Sequence, residues 1–178
     1  MTPSAVRATT HTYIKERPLS AGSAEKGPVT VDDAAWVQAR LASGAIGTLE
    51  SSGVATGHKN QHTWEINGSQ GSLAWDLEDP NHLWVYSEAA LPAEVRGFAG
   101  VSVTTGAHPL QTVYLPPGHN AGWEYGHVHA LHHFLDCVAN DKPVAPLAAT
   151  FEDGYRVQVI MDAIARSSRT GRRISLSY

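Results

Sequence analysis

Trp123, Tyr125 and His127 fall on alternate positions of the run Gly122-Trp123-Glu124-Tyr125-Gly126-His127. Aromatic faces pack against the C–H side of a sugar ring, and an imidazole donates to or accepts from a hydroxyl. The run stands at the first turn of a predicted helix, where chain meets sheet edge and pockets form. A second polar group, His58-Lys59-Asn60, follows a predicted strand on a loop free of apolar residues. Such a loop stays solvated until a ligand arrives, so Lys59 and Asn60 can read hydroxyls or a carboxylate. The candidate substrate contacts are therefore Lys59, Asn60, Trp123, Tyr125 and His127. The same residue types also serve as core aromatics that dock a helix and as a plain surface turn.

Ten histidines raise the question of a metal site. His129 and His133 stand four apart on one predicted helix, a spacing that lets two imidazoles share an ion. No third ligand is evident, and no metal ligand is assigned. At ~100° per residue, Val128, Leu131, Leu135 and Val138 share a face expected to meet the core. His129 and His133 are then expected in solvent. His11, His62, His82, His108 and His119 are expected at the surface or as satisfied core. Glu50 and Glu124 have no spacing that would gather them round one substrate as acid and base. No catalytic residue is assigned, and no nucleophile elbow supports hydrolysis.

The elements that must carry these residues are legible from caps and periodicity. Thr150 with Asp153 three positions on is a variant capping box, and Thr170-Gly171 supplies a left-handed stop. Between them Phe151, Tyr155, Val159 or Ile160, Ala163 and Ile164 recur at helical spacing and predict one buried face. Upstream, Val6–Ile14 reads as a strand and Glu16–Pro28 as a polar connection. Ala35–Leu41 and Ile46–Val54 flank the hairpin signal Ser43-Gly44, and His62–Ile66 and Ser72–Asp76 flank a turn from Asn67 to Gly71. Leu83–Tyr86 and Thr112–Leu115 are further short strands, and Ser87–Pro109 is expected to be irregular. Strands first and two helices late predict an α+β fold, an open, mostly antiparallel sheet with helices packed on one face. Trp36 opposes Ala35 and Val37, and Trp84 adjoins Val85, so large groups point to both faces. A homodimer or higher homo-oligomer through the uncovered sheet face is expected.

With 178 residues and 42% hydrophobic content the chain can bury a core as one domain, 1–178, without disulfides or metals. The lone Cys137 points to a reducing cytoplasm. No apolar run approaches the roughly 20 residues that span a bilayer, so no membrane partner is expected. A net charge of −4 excludes a broad nucleic-acid footprint. The late cluster of Arg166, Arg169, Arg172 and Arg173 is read as cations at a helix C-terminus.

Four blocks together carry a family likeness: Val29–Ala35 with Leu41–Glu50, His58-Lys59-Asn60 with Glu65–Asp76, Gly122–His127, and Thr150–Arg156 with Ser168–Arg172. In this order they resemble the C-terminal, substrate-side domain of the glucose-fructose oxidoreductase and inositol dehydrogenase (Gfo/Idh/MocA) family, over nearly the whole chain. The resemblance implies a substrate-binding and oligomerisation domain of an NAD(P)-dependent oxidoreductase that acts on a sugar, polyol or related hydroxyl compound. It also implies that the loop of His58, Lys59 and Asn60 faces the cleft below the nicotinamide. The family's dinucleotide domain needs a G-x-G-x-x-G turn. That turn, the family's Glu-Lys-Pro segment with its catalytic lysine, and its Asp-x-x-x-His pair are all absent from the 178 residues. The expectation is no cofactor on this chain, NAD or NADP in the complete enzyme, a missing dinucleotide-binding domain as partner, and no turnover by the chain alone. Two other classes are a non-catalytic carbohydrate- or partner-binding module and a histidine-based metal enzyme.

Overall fold

Alternation in the first strand decides where the core forms. β1 (Pro3–His11) turns Val6 and Ala8 to one face. It pairs antiparallel with β4 (Ala34–Leu41), which sets Val37 beside Ala8 and Ala39 beside Val6. β4 pairs in turn with β5 (Ile46–Ser52) through a turn in which Gly44 takes φ 92°, a left-handed conformation that a side chain would oppose. In the computed structural model, which describes residues 2–89, 92–108 and 116–178, the chain forms two compact units. One comprises Met1–Gly57 and Ala149–Tyr178, the other His58–Ala148.

In the first unit, β1, β4 and β5 make a sheet with β10 (Ile174–Ser175), in the order β10-β1-β4-β5. Helix α2 (Phe151–Thr170) lies against β1, and Ala163, Ile160 and Ile164 pack on Val6, Ala8 and Val37. Thr150 caps it as expected: its hydroxyl accepts from the Asp153 amide while the Asp153 carboxylate accepts from the Thr150 amide. Gly171 ends it at φ 64°. The aromatic residues of its first turns depart from expectation, because Phe151 is fully exposed and Tyr155 more than half so. The helix contacts the core only from Ile160 onward, where small residues let it approach the sheet. Ser167, with no exposed surface, accepts from the Ala8 amide at 2.9 Å and donates to the Arg172 carbonyl at 2.6 Å. The stretch read as a polar connection holds a ribbon of β2 (Glu16–Pro18) and β3 (Lys26–Pro28), whose Pro and Gly content hid it from a pattern search. Asp33 pins its approach, accepting from the amides of Tyr13 and Ile14 at 2.7 and 2.8 Å and pairing with Arg17 at 3.1 Å.

The second unit carries an antiparallel sheet of β6 (Thr63–Gly68), β7 (Gly71–Asp76), β8 (His82–Ser87) and β9 (Ala99–Ser102) in sequential order. β9 lies in the stretch expected to be irregular, and the expected strand Thr112–Leu115 falls outside the described residues. The register places Trp64, Ile66, Leu73, Trp75, Leu83, Val85 and Val101 on one face. Trp84 points the other way, its ring over Gly100. Helix α1 (Glu124–Ala139) follows. The architecture is α+β with antiparallel pairing throughout the described strands, as the order of elements predicts, but the strands divide among three sheets.

Candidate functional site

A cavity of about 440 Å³ opens in the second unit, between the end of β7, the segment after β9 and the first turns of α1. Its walls are tied by buried polar groups. Asn81 accepts from the Ala121 amide at 2.7 Å through its side chain, and its own carbonyl accepts from Val103 at 2.9 Å. Thr104, almost fully buried, accepts from Gly118 through its carbonyl and shares a hydrogen bond with Ser102 at 3.2 Å. These bonds hold the helix entry against the β7–β8 turn, so the cavity is preformed by the backbone.

Into that frame Trp75 brings its indole, stacked on Trp64 at 6.3 Å and met edge-on by His62 at 5.9 Å. Trp123, Tyr125, His129 and His108 also line the cavity. Among the described residues the lining holds no carboxylate, ammonium or guanidinium group, only aromatic, aliphatic, imidazole, hydroxyl and amide groups. Such a chamber suits an uncharged ligand with hydroxyls on its rim and C–H bonds on its faces.

The predicted site residues divide. Trp123 and Tyr125 meet at the cavity. His127 does not line it but packs edge-on against Trp123 at 5.0 Å. Lys59 and Asn60 stand on the exposed loop before β6, outside the cavity lining, and the nearest residue of that loop to reach the wall is His62, through Trp75. Sequence reasoning gave no binding role to Trp75, Asn81, His108 or His129, and expected His129 in solvent. Trp75 was visible as the last large residue of its strand; Asn81 and His108 carried no local signal.

The orientation of α1 is the main correction. Its helical wheel is as expected but turned over: His129 lines the cavity and the His133 ring donates through Nε2 to the Val144 carbonyl at 2.8 Å, with Cys137 Sγ at 3.6 Å from the same nitrogen. Val128, Leu131, Leu135 and Val138, expected inside, are 41% to 65% exposed. The polar stripe faces inward because the cavity wall and the loop carbonyls after the helix offer it partners, whereas apolar contact alone would have chosen the other face. Among the described residues no group of three His, Cys, Asp or Glu side chains gathers as a metal would need.

The profile of an oxidoreductase family's C-terminal alpha/beta domain, that of Gfo/Idh/MocA, matches residues 2–176. The chain belongs to this family. Levoglucosan dehydrogenase of Pseudarthrobacter phenanthrenivorans is 37% identical over 177 residues, which are 93% of this chain and 44% of that protein. The crystal structure of an oxidoreductase domain protein from Kribbella flavida superposes with a TM-score of 0.89 at 38% identity, covering 99% of this chain and 45% of the other. A levoglucosan dehydrogenase holding NADH and levoglucosan matches equally well, at TM-score 0.89 and 35% identity, over 99% of this chain and 46% of that one. The chain thus spans less than half the length of these family members. Neither described helix offers a favourable pyrophosphate site at its N-terminus, since Glu124 stands in the first turn of α1 and Glu152 and Asp153 in that of α2.

Proposed function

We propose that this chain is the substrate-side domain of an NAD(P)-dependent oxidoreductase acting on a neutral sugar, polyol or related hydroxyl compound. The observation that supports this most directly is the uncharged aromatic cavity, with Trp75, Trp123 and Tyr125 and the imidazoles of His108 and His129 in its wall. A ring with hydroxyls at its edge and C–H bonds on its faces matches that lining, whereas a sugar phosphate or uronic acid would bury a charge without a counterion. Relatives at 35% identity hold L-sorbose or levoglucosan together with NADH, which favours the same ligand class here. Trp123 and Tyr125 contact the ligand in this reading, His127 steadies Trp123, and Lys59 and Asn60 act from the loop at the edge of the site. The matching profile runs across both compact units, which supports reading them as one domain of the family. The nicotinamide and the hydride step belong to the part of the enzyme beyond this domain, and no residue here is given a catalytic role.

The test is a fluorescence or calorimetric titration of the chain with levoglucosan and L-sorbose, beside glucuronate and glucose 6-phosphate. The neutral sugars should bind at millimolar strength and lose at least fivefold in Trp123→Ala, while the anions should not bind. Equal binding of anions, or no response of the folded chain to either neutral sugar, would remove the reading.

A further inference from the structure

Two glycines, Gly122 and Gly126, stand in the cavity wall beside Trp123 and Tyr125. They differ in what surrounds them. A Cβ on Gly122 would lie 2.3 Å from a carboxylate oxygen of Glu124, whose side chain folds back over it, so the bare backbone gives that carboxylate its place. A Cβ on Gly126 would meet nothing within 4 Å. The backbone of Gly126 is helical, outside the left-handed region that favours glycine, and its amide donates to the Trp123 carbonyl at 3.1 Å. In such a place glycine is a poorer helix former than alanine, because it gives up more backbone entropy on folding. Neither backbone geometry nor a close neighbour explains glycine at position 126.

The direction of the open space does. At ~100° per residue, Gly126 falls on the same arc of α1 as Tyr125, His129, His133 and Cys137. On that arc His133 and Cys137 meet the carbonyls of Val144 and Pro143, while Tyr125 and His129 line the cavity. Among them the bare Cα of Gly126 leaves a recess in the cavity floor. We propose that Gly126 is a specificity-determining residue whose missing side chain seats the C–H face of a six-carbon sugar or polyol; this rests on the neutral-sugar reading above. Carbon atoms pack at about 3.5–4.0 Å, so a ring carbon resting on the Gly126 Cα along that arc overlaps any Cβ added there.

The test sets Gly126→Ala against Gly154→Ala in the 178-residue chain. Gly154 lies in helix α2, lines no part of the cavity, and a Cβ there likewise meets nothing within 4 Å. Each variant is followed by thermal unfolding and by titration with levoglucosan and L-sorbose. Both should unfold no lower than the parent, within about 1 °C, since each exchanges glycine for a better helix former. Only Gly126→Ala should lose sugar affinity, by about fivefold or more, the scale of an overpacked contact. Gly126→Leu, which fills the recess, should bind neither sugar. Unchanged affinity in a folded Gly126→Ala overturns the proposal and leaves the neutral-sugar reading standing. A lower Tm in Gly126→Ala alone overturns it as well, because the glycine then serves the fold. So does an equal loss of affinity in Gly154→Ala, or a Gly126→Leu chain that binds as tightly as the parent. A parent chain that binds neither sugar removes the proposal together with the reading it rests on.

Discussion

Ser167 serves two elements from one hydroxyl: it accepts from the Ala8 amide of β1 and donates to the Arg172 carbonyl beyond the cap of α2. Ser167→Ala strands both groups in a place closed to water, so urea unfolding should report a loss of about 1–3 kcal/mol. Neighbouring Ser168, which accepts from the Thr10 amide where burial is partial, should cost less. Asp33 makes a pH-dependent contribution. The Ile14 amide first, then that of Tyr13 and the Arg17 guanidinium, hold its carboxyl below the usual carboxylate range against an opposing effect of burial. A depressed native pKa means that the stabilisation is complete above the unfolded value of ~3.9 and is lost as pH falls through the lower, folded one. Asp33→Asn should therefore be less stable than the parent at neutral pH, with the gap closing below about pH 4; a gap that stays constant down to pH 2 would remove Asp33 as the cause. His133, once expected in solvent, bonds the Val144 carbonyl. Its replacement by Ala should lower stability by about 1 kcal/mol without changing sugar affinity.

The two helices differ in how they are held. α2 has a complete capping box, a left-handed glycine at its end and a seat on β1, whereas α1 has no side-chain cap and one buried residue. Hydrogen exchange on the chain alone should show α1 amides opening well before those of α2; equal protection would mean that α1 is covered in solution. Thr150→Ala and Gly171→Ala should each cost about 1 kcal/mol, through the lost cap and the left-handed backbone respectively. The caps of α2 were legible because they depend on residues within four positions of each other. The β2–β3 ribbon was not, since Pro18, Gly27 and Pro28 stand in its two three-residue strands and break the alternation that marks a strand.

At the scale of the molecule, no described helix is long and apolar enough to cross a membrane. The apolar face of the second unit's sheet leaves Trp64, Ile66, Leu73 and Val101 partly open to solvent. A patch of that kind favours pairing about a twofold axis. Light scattering after size exclusion at micromolar concentration should report at least a dimer, and Ile66→Lys with Leu73→Lys should return a monomer. Leu131→Lys with Leu135→Lys should leave the dimer intact, which separates this surface from the exposed apolar stripe on α1. Titration with NADH should give no saturable site tighter than about 1 mM, roughly −4 kcal/mol.

Local chemistry was within the sequence's reach. The α+β order, both hairpins around Gly44 and the Asn67–Gly71 turn, the ends of α2 and the family likeness all follow from residues that meet close along the chain or recur in a fixed order. The place of Trp123 and Tyr125 at a helix entry was legible too, because the run precedes the periodic residues of α1. The side on which α1 faces the molecule was decided only in three dimensions. A helical wheel separates two stripes but cannot rank them, and the usual ranking by hydrophobicity pointed the wrong way. The inward choice came from partners far along the chain, the cavity wall for His129 and the Val144 carbonyl for His133. Asn81 shows the same limit, since a single asparagine in a turn gains its meaning from an amide forty positions later, at Ala121.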